Sequence, residues 1–311
     1  IRIESGTFTG RILPATNNLL GKKEFDKFFS PGDTAFVVLD LNEDRTDIVY
    51  PNVIDHYRLD TLFVLVTLFV VVLVLFAGWI GLKALLSFFF SGAMILKILL
   101  PGILYGIDPL LITLGIVALL TFVIIFLVGG FTRKGLVSFT GSMGGIIITS
   151  IFAYVFTTQL KIHGAVRPFT ETLLYSGFDF LNLPHLFIAG IFLAASGAIM
   201  DLSMDIAAAM AEIYEKHPDI HRSELVRSGF TVGRHVVGTM TTTLLLAYTG
   251  GYTALLMTFI AQGVPLANII NMIYVSSEIV HTMVGSLGLV LVAPLTALAG
   301  GLILPHKRSP M

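Results

Sequence analysis

Beyond residue 60 the chain falls into apolar runs separated by short polar or glycine-containing breaks: 61–80, 84–105, 109–130, 137–160, 184–205, 235–260 and 284–303. Each is close to the roughly 20 residues a helix needs to cross a hydrocarbon core of about 30 Å. The pattern predicts an α-helical integral membrane protein with seven transmembrane helices. Gly250 and Gly251 interrupt the sixth run and are candidate hinge residues, giving either a kinked helix or a helix with a re-entrant turn. The stretch 265–282 carries polar residues at 268, 271, 276–278 and 281. It reads as an interfacial or cavity-lining helix, with an eighth span as the alternative.

Residues 1–60 follow a different period. Ile1-Arg-Ile-Glu and Thr7-Phe-Thr-Gly-Arg-Ile alternate with period two, as half-buried strands do. Pro31-Gly-Asp33 is a turn leading into the strand-like run Thr34-Ala-Phe-Val-Val-Leu-Asp40. Asn42-Glu-Asp-Arg45 is a second turn, after which Asp47-Ile-Val-Tyr50 can pair back as a hairpin. The expected organisation is a small N-terminal β domain over 1–60, a barrel or sandwich, and a transmembrane domain over 61–311. The β domain is too short to bury much apolar surface alone.

Composition sharpens this division. Only 13% of the 311 residues are charged, against about 25% in soluble domains. Asp, Glu, Lys and Arg number 17 in residues 1–60 and 22 in the remaining 251. The net charge of −1 points to no nucleic-acid partner. Cysteine is absent, which excludes disulfides, thiolate metal sites and cysteine nucleophiles. The expected partners are the lipid bilayer, a small solute or ion, and a second copy or another membrane protein.

Basic residues set the orientation, because cytoplasmic loops are enriched in Lys and Arg. Alternate loops carry Lys83, then Arg133 and Lys134, then Lys216, Arg222, Arg227 and Arg234, then Lys307 and Arg308. The opposite loops, 106–108 and 161–183, hold only Lys161 and Arg167. The expectation is a multi-pass protein of the bacterial plasma membrane with its β domain outside and its C-terminus in the cytoplasm. The connector 206–233 would be a cytoplasmic helical hairpin broken at Pro218.

Asp201 and Asp205 stand one helical turn apart at the inner end of the fifth run, and so share one helical face. Carboxylates in or near a bilayer are costly and mark proton or ion pathways. Two that close, partly buried, each raise the other's proton affinity, as a proton relay requires. The alternative is that the span ends near residue 200 and both acids sit in cytoplasmic water. Their face continues into Ala194, Gly197 and Ala198, small enough for another helix to pack closely.

The sixth run supplies Thr239, Thr241, Thr242 and Thr243 as polar partners. A single membrane threonine can simply bond its own helix carbonyl; four together facing an acid pair suggest a polar core. Arg234 can pair with Asp205 or extend its head to the interface. Ser196, Glu278 and His281 are candidate cavity-lining residues. Glu278 and His281 have the Glu-x-x-His spacing of di-metal bundles, but a second such pair is missing, so no metal is expected. Walker A, Gly-x-Gly-x-x-Gly, Gly-x-Ser-x-Gly and His-Glu-x-x-His motifs are all missing, so neither a cofactor nor enzymatic chemistry is expected. Asp108, before Pro109, reads as a helix N-cap.

Several of these features together resemble the YibE/F family of bacterial membrane proteins. They are Ser5-Gly-Thr-Phe-Thr-Gly10 before Asn17-Asn18, Pro31-Gly-Asp33, Gly197-Ala-Ile-Met-Asp201-Leu-Ser-Met-Asp205, and Gly233-Arg234 with its threonines. Residues 185–262 are similar, more distantly, to the membrane half of the SecD/SecF proteins and the resistance–nodulation–division superfamily. That likeness implies that Asp205, or Asp201 one turn deeper, is a proton-relay acid with the threonines as its polar partners. The chain departs from it: Ile206-Ala-Ala-Ala-Met210 replaces an Arg-rich run, and a large external domain and a second pseudo-repeat are missing. The expected function is a transporter coupling proton or cation movement to solute translocation. The alternative is a non-transporting scaffold or accessory subunit whose β domain binds a partner protein. A third reading, an intramembrane hydrolase, is disfavoured because acids at i and i+4 point the same way instead of facing each other across a shared proton.

Overall fold

A computed structural model describes residues 1–23 and 25–305. Lys307 and Arg308, counted above on the cytoplasmic side, lie outside the described residues. The chain divides into two compact units, the first running to Gly78 and the second beginning at Trp79.

In the first unit, β1 (Ala35–Leu41) and β2 (Ile48–His56) pair antiparallel, with Ala35 opposite His56 and Leu41 opposite Ile48. Asn42 closes the turn: its side-chain oxygen accepts from the backbone N–H groups of Thr46 and Asp47. The segments 1–4 and 7–12 meet only through an isolated bridge, Arg2 to Ile12, and neighbouring backbone bonds. Among the described residues the β domain therefore holds one two-stranded sheet, where a barrel or sandwich was expected. Glycines at positive φ, Gly6, Gly10 and Gly21, turn the chain before an extended run can build.

The rest of the chain is helical: α1 (Leu59–Met94), a π-helical stretch (Ile95–Leu99), α2 (Leu100–Leu104), α3 (Pro109–Gly129), α4 (Arg133–Gln159), α5 (Thr170–Tyr175), α6 (Leu183–Lys216), α7 (Arg222–Ala261), α8 (Leu266–Asn271) and α9 (Ile273–Ile303). Six helical segments among the described residues are long and apolar enough to cross a membrane. The first, Leu59–Leu104, takes in both the 61–80 and the 84–105 runs. Gly78 interrupts it with φ 55° and ψ −128°, a conformation essentially confined to glycine. The parts on either side are each about a span in length.

Capping residues set the other helix starts. The Asp108 carboxylate accepts from the N–H groups of Leu110 and Leu111, Thr132 Oγ1 from Gly135, and the Asn182 side chain from His185. Pro218 lies in the break between α6 and α7, so the 206–233 connector consists of the extended ends of those two helices. Among the described residues, 265–282 forms α8 and the first turns of α9, not a separate eighth span. The sixth run resolves as a kinked helix: α7 continues through Gly250 and Gly251 and bends at Tyr252.

The core of the second unit lies where α4, α6 and α9 pack against one another, with α3 on α6 and α7 on α9. Glycine permits this closeness. A Cβ at Gly141 would lie 2.1 Å from Thr296 Oγ1, and one at Gly288 would lie 1.8 Å from Thr149 Oγ1. Inside the core Ser203 Oγ donates to the Ser138 carbonyl at 2.8 Å and lies 2.9 Å from Thr296 Oγ1. The hydroxyls therefore tie α4, α6 and α9 together where no water competes.

Candidate functional site

The link between α4 and α6 is pinned by Ile162 and Val166, both buried in the main core. Gly164, at φ +83°, presses its backbone onto the start of α6; a Cβ there would sit 2.2 Å from the Leu183 carbonyl. With both sides of the link held, Arg167 is placed against α9. There Glu278 and His281, one turn apart, are both 7% exposed. Arg167 bonds Glu278 Oε1 through Nη1 at 2.5 Å and His281 Nδ1 through Nη2 at 2.5 Å. Glu278 Oε2 is 3.8 Å from the same His281 nitrogen. Tyr248 of α7 stacks on the imidazole, with ring centroids 4.4 Å apart and planes 29° apart.

Glu278 and His281 place two ionisable groups inside the bundle. At about 1.5 Å per residue, Glu278 lies about 8 Å and His281 about 12 Å along α9 from Ile273. A charge buried at such depth needs a partner, and Arg167 supplies it. Because a guanidinium N–H faces Nδ1, that nitrogen is the acceptor and the ring proton belongs on Nε2. His281 Nε2, Tyr248 OH and Thr282 Oγ1 are buried without hydrogen-bond partners among the described residues. Beside His281 is a cavity of about 240 Å³ lined by Arg167, His281, Thr170, Gly164, Gly190, Leu186 and Phe187.

The acid pair sits elsewhere. Asp201 and Asp205 are exposed on the outer surface of the bundle, on the α6 face that also carries Gly190, Ala194 and Gly197. No residue approaches a Cβ built at Gly190 or Gly197. Asp201 lies about 27 Å and Asp205 about 33 Å along α6 from Leu183. Neither acid has an ion pair or hydrogen bond among the described residues. Gly233 packs near Ile206, yet their neighbours Arg234 and Asp205 form no ion pair.

Thr239, Thr242 and Thr243 are exposed on α7 and Thr241 is partly buried. Thr239, Thr241 and Thr243 donate to carbonyls three or four residues back on their own helix. Ser196 is buried and bonds the Leu193 carbonyl, away from the cavity. Gly250 and Gly251 adjoin the bend at Tyr252, with open space where their side chains would be. Of the candidate residues, then, the structure brings Glu278 and His281 together and leaves the acid pair and the threonines on open helix faces.

Arg167 and Tyr248 were not candidates. Arg167 stood out only as one of two basic residues in charge-poor loops; Tyr248 is one more aromatic among apolar residues. A second pair beyond the candidates ties α3 to α6: His185 Nδ1 lies 2.6 Å from Asp108 Oδ2. Burial pushes the Asp108 carboxyl up, but the His185 bond and the Leu111 and Leu110 N–H groups outweigh it and hold the carboxyl below its ordinary value.

Helices able to span a membrane, with ionisable residues buried among them, define a multi-pass membrane protein. A family model described as YibE/F-like protein matches residues 65–306, and the chain belongs to that family. No curated protein and no solved structure matches the chain.

Proposed function

We propose that this protein is a transporter that couples proton or cation movement to passage of a small solute. The observation that carries the reading is the Arg167–Glu278–His281 cluster, in which Glu278 and His281 are buried on α9, Arg167 reaches them from the α4–α6 link, and a cavity borders Arg167 and His281. Ionisable groups inside a bilayer are expensive and belong by default to substrate or proton pathways. A purely structural role is better served by apolar residues, since a buried ion pair adds little net stability.

Asp201 and Asp205, near the opposite end of α6, are the exit-side proton or cation acceptors in this reading. The open threonine face of α7, with Arg234 at its end, lines the route between the two ends, and the bend at Gly250, Gly251 and Tyr252 lets it move. Arg133, Lys134, Lys216 and Arg222 mark the Asp205 end as cytoplasmic, in a bacterial plasma membrane, with the β domain outside. No catalytic or cofactor chemistry enters.

The test is collapse of an imposed pH gradient across reconstituted vesicles, for wild type, Asp201→Asn, Asp205→Asn and protein-free controls. The reading expects faster collapse with wild type, slowed by at least one substitution. Equal rates for all three proteins would remove the acid pair from the mechanism.

A further inference from the structure

We propose that the cavity beside Arg167 and His281 binds a short-chain carboxylate together with one proton. The inference rests on the transport reading for its purpose but stands on the geometry of the cavity. The lining is chemically mixed. Arg167, His281 and Thr170 offer donors, and Leu186 and Phe187 offer hydrocarbon. Among the described residues Arg167 carries the only fixed charge in the lining; Glu278, its ion-pair partner, is not part of the wall. A guanidinium has five N–H donors in a planar fork, and two are committed to Glu278 and His281. The remaining donors match a carboxylate. At about 240 Å³ the space suits a small molecule.

Charge counting requires the proton. With neutral His281, Arg167 and Glu278 cancel, and an added anion leaves one uncompensated negative charge beside the buried Glu278 carboxylate. Protonation of His281 restores neutrality. Its Nδ1 then no longer accepts from Arg167 but turns to Glu278 Oε2, 3.8 Å away, and the guanidinium is freed toward the cavity. No covalent bond changes. The groups facing the imidazole are Arg167 from the α4–α6 link, Glu278 from its own helix and Tyr248 from α7. The α6 residues at the cavity, Leu186, Phe187 and Gly190, do not titrate. Tyr154 of α4 lies against His185 instead.

The test is titration calorimetry of the purified full chain in detergent with butyrate, and with butylammonium as the cation of matching size. Running it in buffers of different ionisation enthalpy counts protons. The expected result is about one proton taken up per butyrate, with affinity weaker at about pH 9 than at about pH 7. Butylammonium should not bind. His281→Gln should abolish proton uptake, and Arg167→Lys, which keeps the charge without the fork, should weaken butyrate binding. Butyrate binding without proton uptake, equal binding of butylammonium, or no butyrate binding at either pH overturns the proposal. The transport reading fails separately: vesicle gradients that collapse no faster than protein-free controls sink it even if butyrate binds with a proton.

Discussion

Removing Arg167 strands the Glu278 carboxylate. Glu278 has a side chain 10% exposed, and its other neighbour in the cluster is an imidazole nitrogen 3.8 Å away. Breaking a buried pair from one side costs about 3–5 kcal/mol. The Arg167 side chain is 42% exposed, so water reaches the pair and the lower end, about 3 kcal/mol, applies. Glu278→Gln keeps an acceptor for Arg167, which can also turn toward solvent, and costs about 1 kcal/mol, the worth of an ordinary hydrogen bond. The double variant, Arg167→Ala with Glu278→Gln, leaves no stranded charge and should be more stable than Arg167→Ala alone. Denaturant unfolding in detergent, followed by helicity, measures all three against wild type. A double variant no more stable than Arg167→Ala, or a cost for Arg167→Ala within about 0.5 kcal/mol of zero, would show that the pair is not the buried ionic cluster described above.

Gly141→Ala places a methyl 2.1 Å from Thr296 Oγ1 and 2.9 Å from its Cα, so it should destabilise the α4–α9 contact by about 1–3 kcal/mol in the same unfolding assay. Gly197→Ala meets nothing within 4 Å and should be neutral or stabilising by up to about 1 kcal/mol, through helix propensity. Gly78→Ala forces a β-carbon into φ 55° and ψ −128° and should cost about 1–3 kcal/mol in the same unfolding assay. Asp108 has a depressed carboxyl value, so its contribution is complete above the ordinary 3.8 and is lost as pH falls through the lower folded value. An acid titration of Asp108→Asn should therefore lack the part of the wild-type stability loss that falls between the ordinary 3.8 and the lower folded value.

The helices were legible because a bilayer imposes length and apolarity on every span, and the caps at Asp108 and Thr132 follow from local chemistry. The break between the first two runs falls at Gly78, where a glycine at φ 55° and ψ −128° stands in place of the loop expected near residues 81–83. For the β domain the described residues show one two-stranded sheet; alternation in 1–12 shows extended chain but cannot show what the strands pair with. Glu278 and His281 were visible as polar residues in an apolar stretch. Their partner was not, because Arg167 is 111 residues from Glu278 in sequence and only the pinned link at Ile162, Gly164 and Val166 delivers it. The threonine cluster was legible as composition, but which side of α7 faces α9 depends on packing by Gly229 and Gly233.

The most direct test of the central claim is the rate at which an imposed pH gradient collapses in vesicles carrying wild type, Glu278→Gln or no protein. Ion-coupled transport through the buried cluster predicts a wild-type rate above the protein-free rate and a Glu278→Gln rate close to it. A wild-type rate equal to that of protein-free vesicles would contradict the account.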